Sequence, residues 1–393
     1  MNERMVVTGL GAISSLGDDV ARLTEALKAA RSGIAPLARF VPRALSPLPV
    51  AEVARIPPGE PLPVTHRLAC AAGREALQDA ALPSKFGRDR LAVVLGTTTG
   101  GIGHSETWYL QRLAGTRAPP ELLVHHPAAT VGHAVAEAVQ ASGPCLTLST
   151  ACSSGAHALL LGADILRSGQ ADVVLAGGAD SICLLPFLGF NSLRLLAESP
   201  CRPFDEARSG LNLGEAGAFV VLEREGHARQ RGARVHAHLR GAATTCDAYH
   251  MTAPAPDGES VVRAMGLAIE RAGFEPRDIA YVNAHGTATV ANDVAEARAL
   301  STVFGSRPVP VSSTKSQLGH TLGAAGAIEA VVSVLAVRDG FLPPTITTTQ
   351  PFEGAPEGLV LGVSRPADVP VAMSSSFAFG GTNTVLVFAR ADR

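Results

Sequence analysis

Residues 147–177 read TLSTACSSGAHALLLGADILRSGQADVVLAG, and residues 312–340 read SSTKSQLGHTLGAAGAIEAVVSVLAVRDG. Each opens on a strand end, passes a turn of small residues and continues as an Ala-rich helix of similar length. A chemically reactive residue stands near each helix start, Cys152 in the first stretch and His320 in the second. This internal likeness predicts a chain of two related halves, 1–234 and 235–393, with no low-complexity linker between them. Two halves facing each other bring both helix starts into one cleft.

Outward from these stretches, apolar runs predict buried strands at 5–8, 91–95, 145–148, 173–176 and 218–222. A second series falls at 235–239, 279–283, 309–312, 372–375 and 385–388. Helical patterns lie between them at 66–81, 153–168, 260–272 and 324–338, which predicts an α/β architecture. The Pro-rich strip 42–63 reads as a surface excursion.

Composition narrows the function. With 46% hydrophobic and 4% aromatic residues in a chain of 393, Ala, Val, Leu and Gly must fill the core. A formal net charge of -2 argues against a general nucleic-acid binder but leaves room for a local basic patch that docks an acidic carrier. No apolar run reaches the ~20 residues of a membrane span. The start, MNERMVVTGLG, reads as a strand and not as a signal peptide. The six cysteines form no CxxC pair, which predicts reduced thiols with no disulfide framework and no metal site.

Cys152 lies in STACSSG, in a strand-to-helix turn. Free N–H groups and the positive dipole end at a helix start favour thiolate and offer an oxyanion site. His285, in NAHGTAT, and His320, in KSQLGH, open two further strand-end turns. A Cys and two His in three such turns suit nucleophilic catalysis with proton transfer or oxyanion stabilisation. Glu329 sits in an apolar helix and needs a cation, for which Lys315 is the nearest candidate. In FAFGGTN, 377–383, adjacent glycines beside two Phe residues suggest a movable hydrophobic wall. The dinucleotide fingerprint fails, because Ser14 stands where G-x-G-x-x-G needs glycine.

These segments resemble the signature blocks of β-ketoacyl-[acyl carrier protein] synthases, closest to the type II elongating enzymes. The resemblance rests on TACSSGAHAL at 150–159, NAHGTAT at 283–289, SSTKSQLGHTLGAAGAIEA at 312–330 and SFAFGGTN at 376–383. VVTGLGAISSLG, RPFDEARSGLNLGEAGA and CDAYHMTAPAPDG extend it along the chain. It implies a thiolase fold, a five-layered αβαβα arrangement of two pseudo-repeated halves, and a homodimer, while the reduced thiols point to a cytoplasmic setting. It implies that Cys152 takes an acyl group from acyl carrier protein, with the N–H groups of Cys152 and Phe379 as oxyanion hole. It further implies that His285 and His320 support decarboxylation of malonyl-carrier, and that Lys315, paired with Glu329, holds His320. Thr287, Thr289, Gly380 and Gly381 would contact substrate, and Phe379 would gate the acyl pocket. No cofactor is implied beyond the carrier's phosphopantetheine, and the pathway is fatty-acid elongation or a type II polyketide or polyene route.

Ala378 stands where relatives usually carry glycine, and 101–127 matches poorly. A thiolase needs a second, C-terminal catalytic cysteine, and no Cys follows Cys246. A Cys/His hydrolase leaves His320 and Lys315 unexplained. A chain-length factor lacks the nucleophile, so the heterodimer alternative makes this chain the catalytic half.

Overall fold

Ten strands carry the fold, and each falls where an apolar run predicts one. In the computed structural model, which describes residues 4–40 and 48–392, they are β1 (Met5–Ser14), β2 (Leu91–Gly96), β3 (Cys145–Leu148), β4 (Val173–Asp180) and β5 (Ala216–Arg224). The second five are β6 (Ala237–Cys246), β7 (Tyr281–Asn283), β8 (Val311–Ser312), β9 (Val371–Phe377) and β10 (Thr382–Ala389). Hydrogen bonds order them β8-β7-β9-β10-β6-β1-β5-β4-β2-β3.

The first half alone runs β1-β5-β4-β2-β3, with two antiparallel pairings followed by two parallel ones. The second half runs β6-β10-β9-β7-β8 with the same sequence of senses. By position in its half, each reads first, fifth, fourth, second, third, so the chain is one topology used twice. The halves join where Met5–Val7 of β1 pair with 237–239 of β6.

Helices Ser154–Arg167 and Ala325–Asp339 occupy matching places in the two halves, and both touch strands of both half-sheets. Helix Val64–Ala80 covers β1 and β5 outside the first half-sheet, and Glu259–Ala272 covers β6 and β10 outside the second. The layers are therefore α, β, α, β, α. The central helices meet closely: a Cβ on Gly155 would stand 2.6 Å from Ala327 N, and one on Gly326 would stand 2.6 Å from Ala156 N. The small-residue composition is thus a packing requirement of this middle layer.

Two expectations need correction. β1 runs on through Gly9 and Gly11 to Ser14. The outer helix lies so close that a Cβ on Gly11 would stand 2.0 Å from Ala72 O. These glycines serve strand–helix packing. Of the strip 42–63, residues 42–47 lie outside the described residues. Val50, Ala51 and Val53 beyond them are buried, and Ala51 N donates to Leu213 O, so this part is core and not excursion. Helices Ile102–Leu113, Ala129–Ala138, Leu184–Ser192 and Val290–Phe304 were not marked by the sequence pattern.

Candidate active site

β3 ends at Leu148, and the chain turns sharply before the helix that starts at Ser154. Small hydroxyl residues close this turn. Thr150 N donates to Ser154 Oγ (2.8 Å), and Ser154 Oγ donates to Ala151 O (2.6 Å). Ala151 stands at φ 50°, the left-handed region that costs an L-residue roughly 1–2 kcal/mol. Cys152 follows it, 6% exposed. The backbone N–H groups of Phe379 and of Cys152 itself favour its charged form. Burial pushes the thiol up to about 12, against the pull of Lys315 and of these two N–H groups. The expected preference for thiolate at a helix start is outweighed by desolvation, so the resting group is a thiol.

His285 follows β7, and its loop is fixed from behind: Glu296 accepts His285 N (2.8 Å) and Gly286 N (2.7 Å). Its ring lies 5.5 Å from that of His320, nearly perpendicular at 89°. Lys315, 2% exposed, forms an ion pair with Glu329, as the sequence predicts. Its Nζ also lies 3.3 Å from His285 Nδ1. The lysine therefore contacts His285, whereas His320 Nδ1 accepts the N–H of Leu322 (3.2 Å). With each Nδ1 facing a donor, both imidazoles carry their proton on Nε2. Burial, reinforced by the Lys315 charge, holds both histidines well below the ordinary imidazole value, so they are neutral. Burial also pushes Glu329 up to about 7, against the pull of Lys315.

Cys152, His285 and His320 share one cavity of about 400 Å³ with Thr287, Thr289, Phe379 and Arg194. The two threonines face each other, Oγ1 to Oγ1 at 2.9 Å. Phe379 stacks on Phe190, ring centroids 5.5 Å apart at 25°. Gly380 and Gly381 do not line the cavity; they shape the turn behind it, at φ 82° and 78°. Gly380 N donates to Met251 O (2.8 Å), and Asp247 N donates to Gly381 O (2.8 Å), which ties this loop to the one at 247–258. Ala378 lines the cavity and its φ is not positive, so this position needs no glycine.

Sequence reading missed Asp180. Buried at the end of β4, it accepts Thr97 Oγ1, the N–H and Oγ1 of Thr99, Thr98 N and Gly323 N. It thereby ties the Cys152 half to the turn that precedes the Glu329 helix. Glu296 and Phe190 were also missed. An isolated acid in a helical or strand pattern carries no signal of what it holds.

The arrangement sets a buried sulfur in one cavity with two neutral imidazoles and Phe379. Such a site can hold an acyl group on sulfur and stabilise a developing enolate. Residues 2–228 match the sequence profile of the beta-ketoacyl synthase N-terminal domain, and 236–349 that of its C-terminal domain. The chain belongs to the beta-ketoacyl synthase family. It is 37% identical to the 3-oxoacyl-[acyl-carrier-protein] synthase 2 of Coxiella burnetii, over 98% of each chain. It superposes with TM-score 0.94 on a chain of the ishigamide ketosynthase/chain length factor, at 34% identity over 99% of this chain and 100% of that one. A ketosynthase in complex with its chain length factor from Xenorhabdus doucetiae follows at TM-score 0.90 and 31% identity, over 99% and 98%. This beta-ketoacyl synthase is accordingly an acyltransferase of the condensing type with the thiolase fold, and its family uses no cofactor beyond carrier-bound phosphopantetheine. No helix among the described residues is long and apolar enough to cross a membrane.

Proposed function

We propose that Cys152 is the acyl acceptor and that the cavity leading to it takes the phosphopantetheine arm of an acyl carrier protein. The observation that carries this reading is the single cavity lined by Cys152, His285, His320 and Phe379, in which the Phe379 and Cys152 N–H groups are assigned as the oxyanion hole. In the first half-reaction the sulfur attacks the acyl thioester, those N–H groups hold the oxyanion, and the carrier thiol leaves with the proton from Cys152. In the second, malonyl-carrier enters along Thr287 and Thr289. The Nε2–H groups of His285 and His320 hold its thioester oxygen as carbon dioxide departs. The enolate carbon attacks the acyl-Cys carbonyl, the C–S bond breaks, and β-ketoacyl-carrier leaves while the sulfur regains a proton. Lys315, neutralised by Glu329, fixes the tautomer of His285.

Intact mass measurement after incubation with acyl-carriers tests this reading. An acyl mass on Cys152 that discharges into an extended chain on adding malonyl-carrier is expected. Acylation of a Cys152→Ala variant refutes it. The repeated topology supports a duplicated unit with halves 1–234 and 235–393. Six unpaired cysteines support a cytoplasmic setting.

A heterodimer with a chain-length factor is a second reading, with one observation behind it. Among the described residues β3 closes the sheet with a free edge, and Leu146 on it is 42% exposed. An apolar edge of this kind calls for a partner strand, either a second copy or a related chain. Co-expression with a chain-length factor, followed by sizing of the complex, separates the two.

A further inference from the structure

Helix Leu184–Ser192 is short, and Phe187 is its one buried residue. Its start, after Cys183, has no side-chain cap of its own. The cap comes from elsewhere. Glu106, half-buried on helix Ile102–Leu113, accepts the N–H of Leu184 (2.9 Å) and that of Leu185. A carboxylate that takes two free N–H groups at the positive end of a helix is a strong local anchor. Near the other end of the same helix, Phe190 stacks on Phe379, which lines the cavity that holds Cys152. The two ends of the helix also border different cavities. Phe190 lines the one that holds Cys152, while Leu184 and Glu106 line a second of about 390 Å³, walled by Phe40, Val64 and Ile182.

We infer that Glu106 is a positioning residue that clamps the Phe190 helix and thereby limits the length of acyl chain accepted on Cys152. The inference rests on the reading of Cys152 as the acyl acceptor. With the carboxylate in place, the helix stays between the cavities and Phe190 stays against Phe379. Without it the first turn is released, and the chain on Cys152 gains room toward the second cavity.

The test compares wild type with Glu106→Gln and Glu106→Ala in acylation by carrier-bound short and long saturated chains. The long-to-short ratio of kcat/KM is expected to rise about tenfold in Glu106→Ala and about threefold in the isosteric Glu106→Gln, which keeps one acceptor oxygen. Decarboxylation of malonyl-carrier without a primer, which uses His285 and His320, stays within about twofold. An unchanged ratio, or a parallel fall of both reactions, overturns the inference. Should Glu106→Ala fail to fold, Glu106→Gln still decides it. A wild-type enzyme that takes no chain on Cys152 sinks the underlying reading instead, so the two failures are distinct.

Discussion

Lys315 touches two groups, and a mutant cycle separates what it does for each. Its ammonium neutralises Glu329, buried in an apolar helix, and it faces His285 Nδ1 at 3.3 Å. Lys315→Met leaves Glu329 buried without a cation, which costs roughly 3–5 kcal/mol. For 393 residues the unfolding entropy is roughly 0.8 kcal/mol per kelvin, so the melting temperature falls by about 4–6 °C. Adding Glu329→Gln removes the stranded carboxylate and brings the loss back to about 1–2 kcal/mol, near 2 °C. His285 behaves differently. In both variants its Nδ1 has lost its donor, so the Nε2–H tautomer is no longer fixed and decarboxylation falls about a hundredfold. Calorimetry follows the first effect, and release of carbon dioxide from malonyl-carrier follows the second. If the double variant recovers both, the lysine serves only to neutralise Glu329, and the role assigned to it at His285 is wrong.

The remaining predictions concern titration, packing and assembly. Because burial and Lys315 hold His285 and His320 well below the ordinary value, their neutral forms persist as pH falls from about 8 to 6. In a Glu329→Gln variant, which lacks the carboxyl that burial pushes up to about 7, primer-independent decarboxylation should stay level across that range, and a decline centred on the ordinary imidazole value counts against neutral histidines. Burial pushes Cys152 up to about 12, so iodoacetamide should inactivate the enzyme about tenfold faster per pH unit from roughly 7 to 10. A plateau below pH 9 would show a thiolate formed much more readily than burial allows. Gly11→Val places side-chain atoms where Ala72 O already stands and should lower stability by about 3 kcal/mol or more, read as a lower urea midpoint. Leu146→Arg puts a charge on the free edge of β3 and should shift the sedimentation profile from dimer to monomer; an unchanged profile places the interface elsewhere.

Most strands were legible because strands buried on both faces are continuous apolar runs, and these need no tertiary information to be seen. The central helices were legible for the same reason, since Ala325–Asp339 is buried on all sides. Two of the unmarked helices bury almost nothing. Ile102–Leu113 has no fully buried residue, and Leu184–Ser192 keeps one. In the site, the reactive residues announced themselves by type and by position in a small-residue turn. What holds them did not. Lys315 and Glu329 were paired because an acid in an apolar helix calls for a cation, but the contact of that lysine with His285 carried no signal in the sequence. Which imidazole a lysine reaches depends on how the β7 and β8 turns lie across the cleft, and no local pattern encodes that.

The duplicated topology explains why a single cleft forms and also why it is asymmetric. Gly155 against Ala327 and Gly326 against Ala156 are reciprocal contacts, the same close approach made from each half. That reciprocity fixes the two helix starts side by side whatever residues precede them. In one half the preceding turn ends in Cys152, held by a left-handed Ala151 and hydroxyl bonds. In the other it ends in His320, held by the Leu322 N–H. Asp180, from the first half, takes Gly323 N of the second, so the halves cannot part there without breaking a buried hydrogen bond. The middle layer therefore supplies the geometry, and the turns supply the chemistry. A thiol and a neutral imidazole can then line one cavity, because the same packing carries different turns in the two halves.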